Sequence, residues 1–273
     1  MSKQLVNILI PIYKQTPTAG EIISLQQCCR VLHNHPITLF VPSSLIIDEY
    51  QSIFNENKTP YTVERFPDPF FQGIEGYNQL LLSTDFYGRF TDYEYLLIYQ
   101  LDAFVFTDEL SYWCSKGYDY IGAPWFWKFW RFKPTKRLYA VGNGGFSLRR
   151  TEACMRILTH KGTFKSLTKM LFSRNNLFQM ILKHSRKDWG NIKWENNVLF
   201  YTSINQKTED YFWSFDAKES HVDFRVAPLK EAIGFSFECR PSLLFKKNNN
   251  KLPFGCHAWE KYEPLFWKQY INQ

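Results

Sequence analysis

Residues 6–13 read Val6-Asn7-Ile8-Leu9-Ile10-Pro11-Ile12-Tyr13. The run is apolar and largely β-branched, it closes around a proline, and a helical pattern from Glu21 to Leu32 follows it. Together these predict strand, loop and helix. The alternation continues outward: Pro36 to Val41 reads as a strand, about Ser44 to Phe54 as a helix, Thr62 to Phe66 as a short strand and Ile74 to Leu82 as a helix, before the buried-looking strand Tyr95 to Tyr99. Repeated β and α units imply an α/β fold with a mostly parallel, Rossmann-like central sheet flanked by helices.

After Tyr99 the texture changes. Gln100-Leu101-Asp102-Ala103 leads into Phe104 to Phe106, and short elements broken by Gly and Pro replace the regular alternation, giving the second half an α+β character. The chain has 273 residues, 45% of them hydrophobic, and no Ser/Gly linker or charge block divides it. One domain over residues 1–273 is therefore expected. Lys246 to Lys251, with three consecutive Asn, reads as an exposed loop.

The formal charge is +7, and its distribution is uneven. Residues 153–187 carry eight Lys or Arg and no acid, leaving 25 basic against 26 acidic residues elsewhere. Leu167, Met170, Leu171, Leu177, Phe178, Ile181 and Leu182 fall among those cations at mostly helical spacing. A basic helix resting on an anionic membrane surface fits that pattern, beside the plainer reading of a helix packed on the domain with a solvated basic face. Nucleic acid is not an expected partner, because no recognised nucleic-acid motif accompanies the charge. Six cysteines show no Cys-x-x-Cys spacing, as in a protein with reduced thiols. The apolar run Leu5 to Ile12 is far shorter than a membrane span requires. A cytoplasmic location is expected, with peripheral attachment to the inner face of the plasma membrane through residues 153–187.

Four constellations carry candidate chemistry. Gln100 and Asp102 lie two apart at the end of a strand, where open α/β sheets bind ligands, and a carboxylate there suits a divalent cation; a turn Asp capping backbone N–H groups is the plainer alternative. Gly142-Asn143-Gly144-Gly145 permits close backbone approach but lacks the spacing of the dinucleotide and P-loop motifs, and an ordinary tight turn would look the same. Glu209-Asp210 opens a helix, where a carboxylate either caps the helix or serves as a general base. His257, in Gly255-Cys256-His257, stands among apolar residues, a setting common for structural histidines. Beside these, Pro124 to Lys133 interleaves rings and cations, including Trp125, Trp127 and Trp130, and reads as a partly exposed flap that stacks on sugar or sits at a bilayer interface, or else as a core hairpin.

In chain order, Ile10-Pro11-Ile12-Tyr13, Gln100-Leu101-Asp102, Tyr120 to Trp125, Gly142 to Arg149, Glu209-Asp210 and Gly255-Cys256-His257 resemble a DUF5672-type family of bacterial GT-A-like glycosyltransferases. The resemblance implies a GT-A fold, with residues 1–106 as the nucleotide-binding half and 107–273 as the acceptor-side half. It implies that Pro11 and Tyr13 cradle the base and ribose of a nucleotide sugar, UDP-linked by family analogy. Asp102, at the position of the family's Asp-x-Asp motif, would hold Mn²⁺ or Mg²⁺ on the donor diphosphate, with His257 as a second ligand. Gly144 and Gly145 would line the sugar pocket, and Asp210, or failing it Glu209, would deprotonate the acceptor hydroxyl in an inverting displacement. Trp125, Trp127 and Trp130 would contact the acceptor, a cell-surface glycan or lipid-linked saccharide, or the membrane. Gln100 departs from the motif, since it replaces the first acid and removes a charge from the metal position. That departure also admits a non-catalytic carbohydrate-binding protein on the same fold.

Overall fold

The computed structural model describes residues 3–127, 135–160, 198, 207–219 and 223–271. Its centre is a six-stranded sheet in the order β3-β2-β1-β4-β9-β6, comprising β1 (Gln4–Pro11), β2 (Ile37–Pro42), β3 (Thr62–Phe66), β4 (Tyr93–Tyr99), β6 (Tyr120–Ile121) and β9 (Phe146–Arg150). The strands β3, β2, β1 and β4 run parallel, and β9 is antiparallel to both of its neighbours. Helices α1 (Ala19–Val31), α2 (Asp48–Glu56), α3 (Gly73–Leu81) and α4 (Thr84–Gly88) connect the parallel strands. The mostly parallel, helix-flanked α/β fold expected from the alternation is the one observed.

Side-chain alternation sorts the core onto two faces of the sheet. Ile8, Ile10, Leu97 and Tyr99 pack with Leu25, Cys28 and Phe54 on one face. Leu9, Phe40, Leu96 and Ile98 pack with Leu80, Phe86 and Trp213 on the other. Asn7 and Thr38, both buried, and the exposed Thr62 form a polar row across three strands, with Asn7 Nδ2 donating to Thr38 Oγ1 at 2.9 Å and the two threonine hydroxyls 2.7 Å apart.

Two expected boundaries move. The second helix begins at Asp48 rather than near Ser44, because the Arg65 guanidinium gathers the carbonyls of Pro42, Ser43 and Leu45 at 3.0 Å each and holds that stretch as a loop. Lys246 and Lys247 end a helix, Pro241–Lys247, and the loop begins only at Asn248; Asn249 and Asn250 then take left-handed backbone, which asparagine tolerates.

Beyond β4 the chain builds two small sheets. One orders β10 (Ser236–Phe237), β11 (Gly255–Cys256) and β5 (Phe104–Val105); the other is a hairpin of β7 (Ala123–Phe126) and β8 (Leu138–Gly142). Helices α5 (Leu110–Ser115) and α6 (Thr151–Thr159) complete the elements used below.

Candidate active site

The sheet order reverses direction between β1 and β4: β2 and β3 lie on one side of β1, and β4 with β9 on the other. Ligands of open α/β sheets bind beyond the carboxyl ends of strands at such a point. Pro11 ends β1 there, buried, and Tyr13 follows it with 57% of its surface exposed. Partial burial, then the charges of Glu21 and Asp102, push the Tyr13 phenol up, which puts the ring within electrostatic reach of Asp102.

Gln100 and Asp102 follow β4 directly, and the small sheet delivers their partners. Its register sets Phe237 beside Cys256 and Cys256 beside Phe104, so Glu238 falls beside His257, and Asp102 comes one residue past Ala103, the position opposite His257 on the antiparallel strand. His257 Nε2 stands 3.0 Å from Asp102 Oδ1 and 3.3 Å from Gln100 Oε1, while Nδ1 faces Glu238 Oε1 at 3.3 Å. Burial would lower the His257 pKa, but Asp102 and Glu238 outweigh it and raise it to about 10. Burial likewise pushes the Asp102 carboxyl up, and the His257 hydrogen bond and charge reverse that and hold it below the ordinary carboxylate range. His257 thus stands between two carboxylates that favour its protonated form.

The glycine turn closes the site from the β9 side. Asn143 sits at φ 95°, and its Oδ1 accepts from the N–H groups of Gly145 (2.8 Å) and Phe146 (3.2 Å), so its side chain fixes the turn that its backbone opens. A Cβ on Gly145 would overlap His257 Nε2 and crowd Gln100 Oε1; one on Gly144 would overlap Glu209 Oε1 and stand 3.8 Å from the Asp210 Cβ. Adjacent residues thus touch the Gln100–His257 cluster and the Glu209–Asp210 turn, and the two acidic groups share one end of the sheet. These glycines leave room for polar atoms, beyond the ordinary needs of a tight turn.

The structure divides the acid pair. Glu209 is 2% exposed and grips Arg149, itself fully buried on β9, through Oε2 to Nη1 at 2.8 Å and Oε1 from Nη2 at 2.9 Å. Arg149 also donates to Tyr87 Oη and Ser147 Oγ, each at 3.1 Å, and the Glu209 N–H donates to Asn78 Oδ1 at 3.1 Å. Burial raises the Glu209 carboxyl, to about 7, against the pull of Arg149. Glu209, paired with Arg149 across the core, ties the turn to β9, with Oε1 against Gly144. Asp210, partly exposed, keeps one oxygen engaged: Oδ1 accepts from the Tyr211 N–H at 2.8 Å and from the Thr208 hydroxyl. The helix that begins at Glu209–Tyr211 then passes through a π turn, Phe212–Asp216, a distortion frequent at functional sites.

Rings flank Asp210. Trp125 stacks near Phe215 (6.3 Å between centroids), Phe215 stacks on Tyr139 (6.0 Å) and packs on Tyr211 (4.6 Å), and Trp127 meets Tyr139 edge-on at 5.4 Å. Trp127 and Tyr139 are 47% and 40% exposed, so the hairpin offers open aromatic faces. Gly142 lacks the Cβ that would strike the Trp125 indole. Trp130 and residues 161–187 of the basic segment lie outside the described residues; its start, in α6, pairs Arg156 with Glu152 at 3.7 Å.

A cavity of about 920 Å³ runs along α1 between Ile23, Arg30, Lys58, Phe104, Phe106 and Tyr270, and none of the site residues lines it. Arg30 and Lys58 stand at the carboxyl ends of α1 and α2, where cations offset exposed carbonyls. Arg149, Glu238, Asn143 and Asn78 were not singled out from the sequence. Arg149 and Asn143 sit within the Gly142–Arg149 string, whose glycines signalled close approach; nothing in the spacing links Asn78 or Glu238 to the site.

A family model described as "Protein of unknown function (DUF5672)" matches residues 60–257. No curated protein sequence matches the chain. Among solved structures, TarS 1–349 from S. aureus is similar with a TM-score of 0.35 and 9% identity, covering 55% of this chain and 48% of its own. The apo-form glycosyltransferase GlyE in Streptococcus pneumoniae TIGR4 is similar with a TM-score of 0.44 and 12% identity, covering 99% of this chain and 60% of its own. The chain thus spans about half to three fifths of the length of those structures.

Proposed function

The chain belongs to the DUF5672 family, and from that premise we propose that it is a GT-A type glycosyltransferase that moves a sugar from a nucleotide donor, UDP-linked, to a saccharide hydroxyl. One observation carries the reading: Gln100, Asp102, His257, the Gly144–Gly145 turn and Asp210 meet at the carboxyl edge of the sheet beside the strand-order switch. A diphosphate-linked sugar needs such a place, with cationic or cation-binding groups at the phosphates, room at the sugar and a base beyond it.

Pro11 and the exposed Tyr13 ring border the base and ribose. Asp102 and His257 are the residues that would hold a Mn²⁺ or Mg²⁺: Nε2 and Oδ1 lie 3.0 Å apart, about one ligand-to-ligand spacing, and the imidazole seats against Gly145, where a Cβ would overlap it. Bound there, the cation would neutralise charge on the donor diphosphate as it departs. The chain's own residues do the rest. Asp210 takes the acceptor proton as the oxygen attacks the anomeric carbon, an inverting displacement, and Glu209 with Arg149 keeps that carboxylate in place. The Trp125, Trp127 and Tyr139 rings receive an apolar sugar face of a glycan or lipid-linked acceptor.

The test is UDP release from a panel of UDP-sugars with saccharide acceptors. Asp210→Asn is expected to lower turnover by about 10²–10⁴ fold while nucleotide binding persists. The rival, a carbohydrate-binding protein without chemistry, draws on the lost charge at Gln100. It predicts sugar binding but no UDP release from any donor by the wild type.

A further inference from the structure

The cavity along α1 has no part in the reading above. Its volume, about 920 Å³, is that of a site for a ligand of several hundred daltons. None of its lining residues is acidic, whereas Arg30, His33 and Lys58 all line it. Among the described residues no carboxylate pairs with any of these three.

A cation at a helix end offsets carbonyl charge, but α1 is capped without the Arg30 side chain. The Leu32 N–H donates to the Cys28 carbonyl at 2.9 Å, and His33 Nδ1 stands 3.1 Å from the Arg30 carbonyl. The guanidinium is held instead by Gln27, which is 8% exposed. Gln27 Nε2 donates to the Val105 carbonyl at 2.7 Å, which fixes its Oε1 toward Arg30. That oxygen accepts from Arg30 Nε at 3.0 Å and from Nη2. A buried neutral amide anchored on β5 thus positions the cation, leaves its charge uncompensated and leaves Nη1 without a partner among the described residues. A guanidinium so placed suits the two-oxygen edge of a carboxylate or phosphate.

The rest of the lining suits a sugar ring. Gln26 and Asn57 bring carboxamides, which donate and accept at neighbouring hydroxyls, and Asn57 spends one amide hydrogen on the Ile53 carbonyl at 2.8 Å. Phe106 and Tyr270 bring aromatic surface, the Phe106 ring being backed by Trp267 at 5.7 Å between centroids. Helix α1 connects this place to the cleft. Glu21, in its first turn, pairs at 2.6 Å with Lys14 beside Tyr13, and Arg30 lies about 14 Å further along the axis.

We propose that the cavity is an accessory site for an acidic saccharide, with its phosphate or carboxylate on Arg30 and Lys58 and a ring against Phe106 and Tyr270. The site is separate from the cleft, so its occupation does not depend on the transferase reading. The test is an NMR titration of the full chain, labelled at isoleucine δ-methyl groups, with phosphorylated maltohexaose, oligogalacturonate, neutral maltohexaose and inorganic phosphate. The Ile23 methyl, identified through Ile23→Val, reports on the cavity. At least one acidic oligosaccharide is expected to shift it saturably, binding about tenfold or more tighter than the neutral sugar or phosphate alone; the tighter of the two identifies the acid. Arg30→Gln with Lys58→Gln should weaken that binding about tenfold or more, and Tyr270→Leu several-fold. Lys251→Gln, which removes an exposed charge elsewhere, should not weaken it.

The site is overturned by no saturable shift with either acidic probe, by equal affinity for phosphate alone or for neutral maltohexaose, or by wild-type affinity in the Arg30 and Lys58 double variant. Mole-for-mole displacement of the acidic probe by UDP also overturns it, since probe and nucleotide would then share one pocket. Wild-type affinity in Tyr270→Leu overturns the ring contact. If Tyr270→Leu does not fold, the double variant, whose two side chains are exposed, decides.

Discussion

His257 holds a proton that its ordinary chemistry would surrender near neutrality. Its folded pKa is raised to about 10, against about 6.5 in an unfolded chain. Between those values the folded state binds more protons, so stability falls as pH rises. The stabilisation is fully present below about 6.5 and is lost as pH passes through about 10. Thermal unfolding in EDTA should accordingly show the wild type losing its advantage over His257→Gln across that window. A gap between the two that does not change with pH would contradict the assignment. Asp102 contributes in the opposite sense, its lowered carboxyl being deprotonated throughout this range.

At the scale of elements, the tie between β9 and the helix opening at Glu209 is a buried ion pair. Removing one partner leaves an uncompensated buried charge, so Glu209→Ala is expected to cost about 3–5 kcal/mol in urea unfolding. The double replacement Arg149→Met with Glu209→Leu should cost clearly less, because it removes both charges and keeps the volume. Equal losses would mean that the pair's charge is not what holds the turn. This tie also shows where sequence reading stops. The strands β1, β2 and β4 were legible because each is a mostly apolar run, and β3 by its place in the alternation with helices. The insertion of β9 antiparallel beside β4 was not, since Phe146 to Arg150 gives no sign that the buried face of Ser147 and Arg149 awaits a carboxylate about sixty residues on. Asp102, Asp210 and His257 stood out by residue type and local setting, whereas Glu238 is placed by a pairing between two-residue strands that no local pattern announces.

For the whole molecule, the charge is unevenly distributed along the sequence. The described residues contain no helix long and apolar enough to cross a membrane, and the entire basic excess lies in residues 153–187. If that segment serves a lipid-linked acceptor, the protein should float with vesicles rich in anionic phospholipid, not with neutral ones, and should be released as salt rises. Failure to float with anionic vesicles at low salt would remove the membrane from the account and leave the cleft untouched. The cleft itself is made by distant parts of the chain: β1 brings Tyr13, β4 brings Gln100 and Asp102, the turn before β9 brings Gly144 and Gly145, and the last quarter brings Asp210, Glu238 and His257. The most direct test of that convergence is a crystal structure with a UDP-sugar and Mn²⁺. The diphosphate is predicted against Asp102, Gln100 and His257, with the sugar over Gly144 and Gly145 and facing Asp210; a nucleotide seated elsewhere, such as the cavity along α1 between Arg30 and Lys58, would contradict it.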